Sequence, residues 1–215
     1  MNENNLTLTG IVLSAMPIGE NDKRLSLLTR ERGKISAFAR GARRPNSPLL
    51  ASTEPFAFGT FHVFEGRSSV SVNKTEISEY FREIASDPDA AWMGFYFLEL
   101  AEYFSFENLE AGETVALLFY SLKALLSPVF DNDLVRRVFE LKLFVINGEY
   151  PDPDRCALSQ SADYTMRYII TTPVRDLYRF DVTKEVLKEL SDVIDRFMRS
   201  NCNHEFRSLA VIQKL

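Results

Sequence analysis

Between Lys23 and Arg44 the chain carries eight basic residues, Lys23, Arg24, Arg30, Arg32, Lys34, Arg40, Arg43 and Arg44, against one acid, Glu31. Ammonium and guanidinium groups at this density suit phosphate oxygens, and the planar guanidinium takes them two at a time. Phe38 stands among these cations, where a ring can offer a stacking surface beside the charge that neutralises a nucleic-acid backbone. Other chemistry has little to stand on. No GxGxxG, P-loop, HExxH or Gly-x-Ser-x-Gly occurs, and only His62 and His204 offer imidazole. Asp152 and Asp154 form an acidic pair in a proline loop, which reads as a solvated turn. No enzymatic activity and no cofactor are expected.

The elements that must position these residues are two strands and a turn. Leu25 and Leu27 alternate with Arg24, Ser26 and Leu28, Thr29 to Gly33 breaks the pattern, and Ile35 to Arg40 alternates again, which predicts a β-hairpin. On its second strand a period of two puts Ile35, Ala37 and Ala39 on one face, with Lys34, Ser36, Phe38 and Arg40 on the other. Two readings of Phe38 stay open: a platform for bases, or a residue packed under a loop or helix. After the hairpin, Gly41 to Pro48 is a loop punctuated by glycine and proline that presents Arg43 and Arg44 as the leading phosphate contacts. The competing reading is a solvated turn whose arginines pair with surface carboxylates.

These residues carry a resemblance. Gly19-Glu20-x-Asp22, Leu27 to Arg30, Gly33-Lys34 and Ala39 to Arg44 with Ser47 resemble the N-terminal signature of the RecO family. Further similarity lies in Glu54 to Phe56, Arg136 to Leu143, Gly148 to Tyr150 and Phe206 to Leu209, so the likeness runs nearly the whole length. It implies a bacterial recombination mediator that binds single-stranded DNA, with double-stranded DNA as a second ligand left open, and anneals complementary strands. It implies RecR as a partner, recognition of the C-terminal tail of the single-strand DNA-binding protein, and action in the cytoplasm at the nucleoid.

Composition sets the frame. At 215 residues with 46% hydrophobic and 26% charged, the chain is long enough for two cores. No run of ~18 apolar residues and no basic start followed by an apolar stretch is present, so neither a membrane span nor a signal peptide is expected. Charge is uneven. Residues 1–82 hold 11 Lys/Arg against 8 Asp/Glu, and residues 83–215 hold 14 against 22. Nucleic-acid binding would therefore come from the local cationic stretch, while the acidic remainder favours contacts with proteins.

The predicted fold class is α+β: residues 1–80 as a five-stranded barrel, residues 81–215 as an all-α domain. Strands are expected at Leu6–Met16, in the hairpin, at 55–64 with a bulge at Gly59, and at 69–76. Five strands alone leave an SH3-like barrel open; the resemblance favours the oligonucleotide-binding (OB) fold. Phe61 is expected in the core and His62 at the surface or hydrogen-bonded. Helices are expected over 90–104, where an almost wholly apolar sequence predicts a central position, and from Gly112, Asp131, Thr183 and Phe206.

On the third helix Arg136, Arg137, Glu140 and Lys142 are expected as an outer face, with Arg136 and Glu140 as a surface i,i+4 pair. Arg137, with no evident helical partner, is the first choice for the acidic tail that the resemblance implies as a ligand. Residues 149–180 are expected to be irregular and held by Tyr164, Met166, Tyr168, Ile169 and Ile170. Many RecO proteins bind zinc there through two Cys-x-x-Cys pairs, but this chain has Cys156 with Ser159 at the partner's place, so no metal is expected. A reading from another class also stands, a non-catalytic adaptor that binds only proteins.

Overall fold

Alternation of apolar and polar residues yields five strands in the computed structural model, which describes residues 4–212: β1 (Asn5–Ile18), β2 (Asp22–Thr29), β3 (Gly33–Ala39), β4 (Phe58–Glu65) and β5 (Val70–Glu79). They close a barrel in the order β1-β2-β3-β5-β4, with β4 returning to β1. Among the described residues only the β3–β5 pairing is parallel. This is an OB-fold. Leu25, Leu27, Ala37, Ala39, Phe61 and Val63 point inward and are buried, and each large apolar side chain so placed stabilises the barrel by roughly 1.5–3 kcal/mol. The alanines leave room for the larger side chains around them.

Curvature has a visible cause. β1 shifts register between Val12 and Ser14, and the β4–β5 pairing shifts at Phe58/Gly59, where the sequence places a bulge. Gly10 lies so close to β2 that a Cβ there would stand 2.1 Å from the Leu28 carbonyl oxygen, so only glycine permits the approach. Strand β4 begins at Phe58 rather than Pro55, because Phe56 adopts a left-handed φ of 72°.

Two compact units divide the chain. One contains the barrel through Arg82 together with Leu98–Val115, and the other contains Glu83–Phe97 and the chain from Ala116 onward. The sequence assigns everything past residue 80 to a helical domain, whereas Leu98–Val115 is bonded to the hairpin. Phe106 O accepts from Lys34 N at 3.1 Å, and Ala111 N donates to Arg30 O at 2.9 Å.

The helices are α1 (Pro88–Phe104), α2 (Gly112–Leu125), α3 (Asn132–Ile146), α4 (Gln160–Thr171), α5 (Lys184–Asn201) and α6 (Arg207–Ile212). The starts of α1, α3, α4 and α5 follow from side-chain caps. Asp87 accepts from Asp89 N and Ala90 N, Asp131 from Asp133 N and Leu134 N, Ser159 from Ala162 N and Thr183 from Val186 N. In the second unit α3 packs against α4 and α5, and its residues Leu134 to Phe144 are all buried. Phe97 stacks on Phe139 with centroids 4.1 Å apart, and Phe144 meets Phe197 at 5.0 Å.

Three expectations need correction here. Segment 149–180 is not irregular throughout, since its prolines flank α4 without interrupting it; Ala162, Thr165, Met166 and Ile169 give that helix a buried stripe. Tyr164 does not hold this segment, being 72% exposed. Helix α1 is not buried all round, because Trp92, Phe95 and Tyr103 are each 39% exposed along one side.

Candidate nucleic-acid interface

The outer face of the hairpin is what the period of two dictates. Arg24 pairs with Phe38 across β2 and β3, Met16 pairs with Arg24 across β1 and β2, and Phe38 pairs with Ser71 on β5. One row therefore crosses four strands as Met16, Arg24, Phe38 and Ser71, with cross-strand neighbours about 5 Å apart. The next row is Ser14, Ser26 and Ser36. Arg24 is exposed and donates from Nε to Ser36 Oγ at 2.9 Å, while Phe38, its cross-strand neighbour, is half-buried.

The loop after β3 folds against the β1–β2 turn. Gly41 N donates to Asp22 Oδ1 at 2.7 Å, Arg43 N to Asn21 O at 2.8 Å and Arg43 Nη1 to Gly19 O at 3.1 Å. These bonds gather Arg40, Arg43 and Arg44, all exposed, at the end of the hairpin that holds Arg24 and Phe38. Among the described residues no carboxylate pairs with Arg24, Arg30, Arg40, Arg43 or Arg44. The surface-turn reading, in which these arginines are satisfied by acids, therefore loses its partners.

Other members of the cationic stretch are placed elsewhere. Lys23 faces inward with Leu25 and Leu27 and is 6% exposed; its ammonium donates to Leu50 O at 3.2 Å, Thr53 Oγ1 at 3.1 Å and Glu54 Oε1 at 2.6 Å. It is a fastening of the barrel's own loop and not a phosphate contact, a correction that its parity with Leu25 already signals. Arg32 Nη2 pairs with Glu65 at 3.1 Å in a half-exposed bridge that salt or a phosphate can displace. Lys34 Nζ donates to Glu102 O at 2.9 Å. Arg30, Arg32 and Lys34 form a second group toward the β2–β3 turn; at the ~3.3 Å rise per strand residue Arg30 lies about 20 Å from Arg24 and Lys34, paired with Leu28, about 13 Å.

Sequence reasoning passed over two residues on this surface. Met16, 65% exposed, extends the Arg24–Phe38 row, and the alternation along β1 would have found it. Arg67 is exposed on the turn between β4 and β5, and OB-folds use that turn, the β1–β2 turn and the β2–β3 face to bind oligonucleotides. Elsewhere on the barrel Phe61 is buried as expected, and His62 Nδ1 lies 3.2 Å from Thr7 Oγ1 with Nε2 3.4 Å from Glu76.

Arg136 and Arg137 lie in the helical unit, 8% and 7% exposed, and not on an outer face. Arg136 Nε donates to Glu140 Oε1 at 2.9 Å; Arg137 Nη1 donates to Glu140 Oε2 at 2.8 Å and to Asp195 Oδ1 at 2.6 Å, and its Nε to Ser191 Oγ at 3.0 Å. Arg137 therefore has a helical partner after all, at i+3, and Arg136–Glu140 is a buried pair. Tyr96 OH completes the cluster by donating to Glu140 Oε1 at 2.6 Å. Burial and then the Glu140 charge push the Tyr96 hydroxyl well above the usual tyrosine range. Burial alone would lower the Arg137 value, but Glu140 and Asp195 outweigh it and hold the group charged. Lys142, also expected outside, is 6% exposed and donates to Ile169 O, Ile170 O and Thr172 O at 3.2, 3.0 and 2.7 Å.

The donors around α4 do not fit zinc. Ser159 is spent as the α4 cap, the Cys156 thiol donates to Asp152 O at 3.3 Å and is pushed up by burial, and no three His, Cys, Asp or Glu side chains converge among the described residues. Likewise, no helix among those residues is long and apolar enough to cross a membrane.

Comparison with known proteins bears on both halves. Residues 1–81 match the family model described as "Recombination protein O N terminal", and residues 85–164 match "Recombination protein O C terminal". Similar proteins include the DNA repair protein RecO of Acetivibrio thermocellus, 26% identical over 99% of this chain and 98% of the relative. That of Clostridium acetobutylicum is 29% identical over 89% and 90%, and that of Alkaliphilus metalliredigens 34% identical over 74% and 65%. With an OB barrel in front, helices behind it, and both matched in chain order by one family, the chain belongs to the RecO family of DNA repair proteins.

Proposed function

We propose that this chain is a non-catalytic recombination mediator that grips single-stranded DNA across the outer face of β2 and β3. One observation carries the reading: exposed arginines without carboxylate partners, Arg24, Arg40, Arg43 and Arg44, converge with Phe38 on the face that OB-folds use for oligonucleotides. Backbone phosphates run along the guanidinium groups, bases stack on Phe38, and Arg67 extends the track from the β4–β5 turn. A strand held chiefly by its backbone leaves the bases beyond this face free to pair, which suits annealing to a complement. With RecR the protein would help place recombinase on strands covered by the single-strand DNA-binding protein, in the bacterial cytoplasm at the nucleoid; these partners come from the family. Double-stranded DNA, with the same backbone charge, is the second ligand that this face suits.

Arg136 and Arg137 are better assigned to the core of the helical unit than to a partner's tail, because their donors are already committed to Glu140 and Asp195. The test of the main reading is fluorescence anisotropy of a labelled oligonucleotide with wild type and Arg43→Glu/Arg44→Glu. The variant should lose most of its affinity with an unchanged unfolding transition. Identical curves would instead support an adaptor that binds only proteins.

A further inference from the structure

Between the two cationic groups on the hairpin lies a groove of about 320 Å³ that phosphate binding does not explain. It is lined by the serine row Ser14, Ser26 and Ser36, by Arg24 and Lys34, and by Glu102 and Glu107. Both acids belong to Leu98–Val115, which is part of the barrel unit, and main-chain bonds fix them there. Lys34 N donates to Phe106 O at 3.1 Å, Lys34 Nζ to Glu102 O at 2.9 Å, and Gly33 bridges Glu107. Among the described residues neither carboxylate has an ion-pair partner.

Arg24 and Lys34 balance the two acids in the lining; with the backbone taken by the cations, the acid side of the groove is left to meet neutral bases. Its volume is at the lower bound of small-ligand pockets, ~300 Å³. What the carboxylates can do is accept. Cytosine, adenine and guanine each offer an exocyclic amino group, and carboxylate oxygens accept from cytosine N4 in nucleic-acid complexes. Thymine and uracil offer a single N–H set between two carbonyl oxygens, which a carboxylate repels. Serine hydroxyls serve as donor or acceptor and so tolerate any base.

We propose that this groove reads base edges and favours amino-bearing bases over thymine and uracil. The inference rests on the DNA-binding reading above and names the selectivity of that same face.

The test compares oligodeoxycytidine with oligodeoxyuridine, each of about 16 nucleotides, the upper end of an OB-fold site. The two have equal phosphate counts and differ at the base edge without the thymine methyl group, so the electrostatic contribution cancels in the ratio of affinities. Wild type should bind the cytidine strand about fivefold or more tightly, ~1 kcal/mol, the low end for one base-edge contact. Glu102→Ala/Glu107→Ala should tighten binding of the uridine strand by removing negative charge, while the ratio falls to about one. Glu107→Ala alone, at an exposed site, should fall between. Equal wild-type affinities for both strands would overturn the selectivity and leave the backbone grip standing. A ratio that survives the double substitution would overturn its assignment to these glutamates. Absence of binding to either strand would remove the DNA reading itself, and this inference with it.

Discussion

Each charged side chain in this protein is defined by what it faces. Arg24 and Lys23 are adjacent, yet one is exposed on the hairpin's outer face and the other is buried against Thr53 and Glu54. Lys23→Met should therefore lower the unfolding temperature by exposing unmet acceptors at Leu50 and Thr53, roughly 1–3 kcal/mol. Oligonucleotide affinity per folded molecule should not change. Phe38→Ala should do the reverse, weakening single-strand binding by roughly 1–3 kcal/mol in anisotropy titrations, the value of one stacked base. Glu140, fully buried between Arg136, Arg137 and Tyr96, supports two cations at once, and Glu140→Ala should cost about 3–5 kcal/mol in denaturant unfolding. Tyr96 adds a pH signature. Its folded value is raised above the unfolded one of about 10, so its contribution is complete below that pH and is lost as pH rises through the folded value. Tyr96→Phe should flatten the alkaline limb of the stability curve.

At the scale of elements, a segment is held by whichever donors reach its ends. Helix α4 ends where Lys142, projecting from α3, caps three carbonyls, so a charge read from sequence as surface decoration closes the element beside it. Lys142→Met leaves those carbonyls without this donor, and amide exchange in α4 should accelerate while that in the barrel stays unchanged. The hairpin depends on a different device. Gly33 takes a φ of +62°, and a Cβ there would meet the carbonyl oxygens of Phe106 and Leu109 at 2.3 Å, so glycine both closes the turn and admits the segment that brings Glu102 and Glu107. The β3–β4 loop, with no regular structure of its own, is positioned by its bonds to Asp22, Asn21 and Gly19.

Over the molecule as a whole, a net charge of −5 coexists with a cationic face because the positive charge is local. If Arg24, Arg40, Arg43 and Arg44 each neutralise one phosphate, log affinity for single strands should fall with log salt at a slope of about −2.8. Arg43→Glu/Arg44→Glu should make the slope shallower by at least about 1.4, and a flat wild-type response would remove the electrostatic claim. Lys34 and Arg32 should contribute less, since each already has an oxygen partner within the barrel unit.

By itself the sequence determined the barrel, its strand faces, the starts of every helix but α4 among those described, and the family, because alternation, caps and glycine turns are local and each is written in neighbouring residues. It also placed Lys34, Ser36, Phe38 and Arg40 on one outer face, where they are found. Tertiary structure alone decided which cations are available. Asp195 lies 58 positions from Arg137 and Glu65 lies 33 from Arg32, and no periodicity spans such separations. The acids beside the serine row arrive the same way, carried to β3 by the return of Leu98–Val115 to the barrel. Charge is a property of a residue, but freedom to bind a partner depends on every oxygen that folding brings within reach.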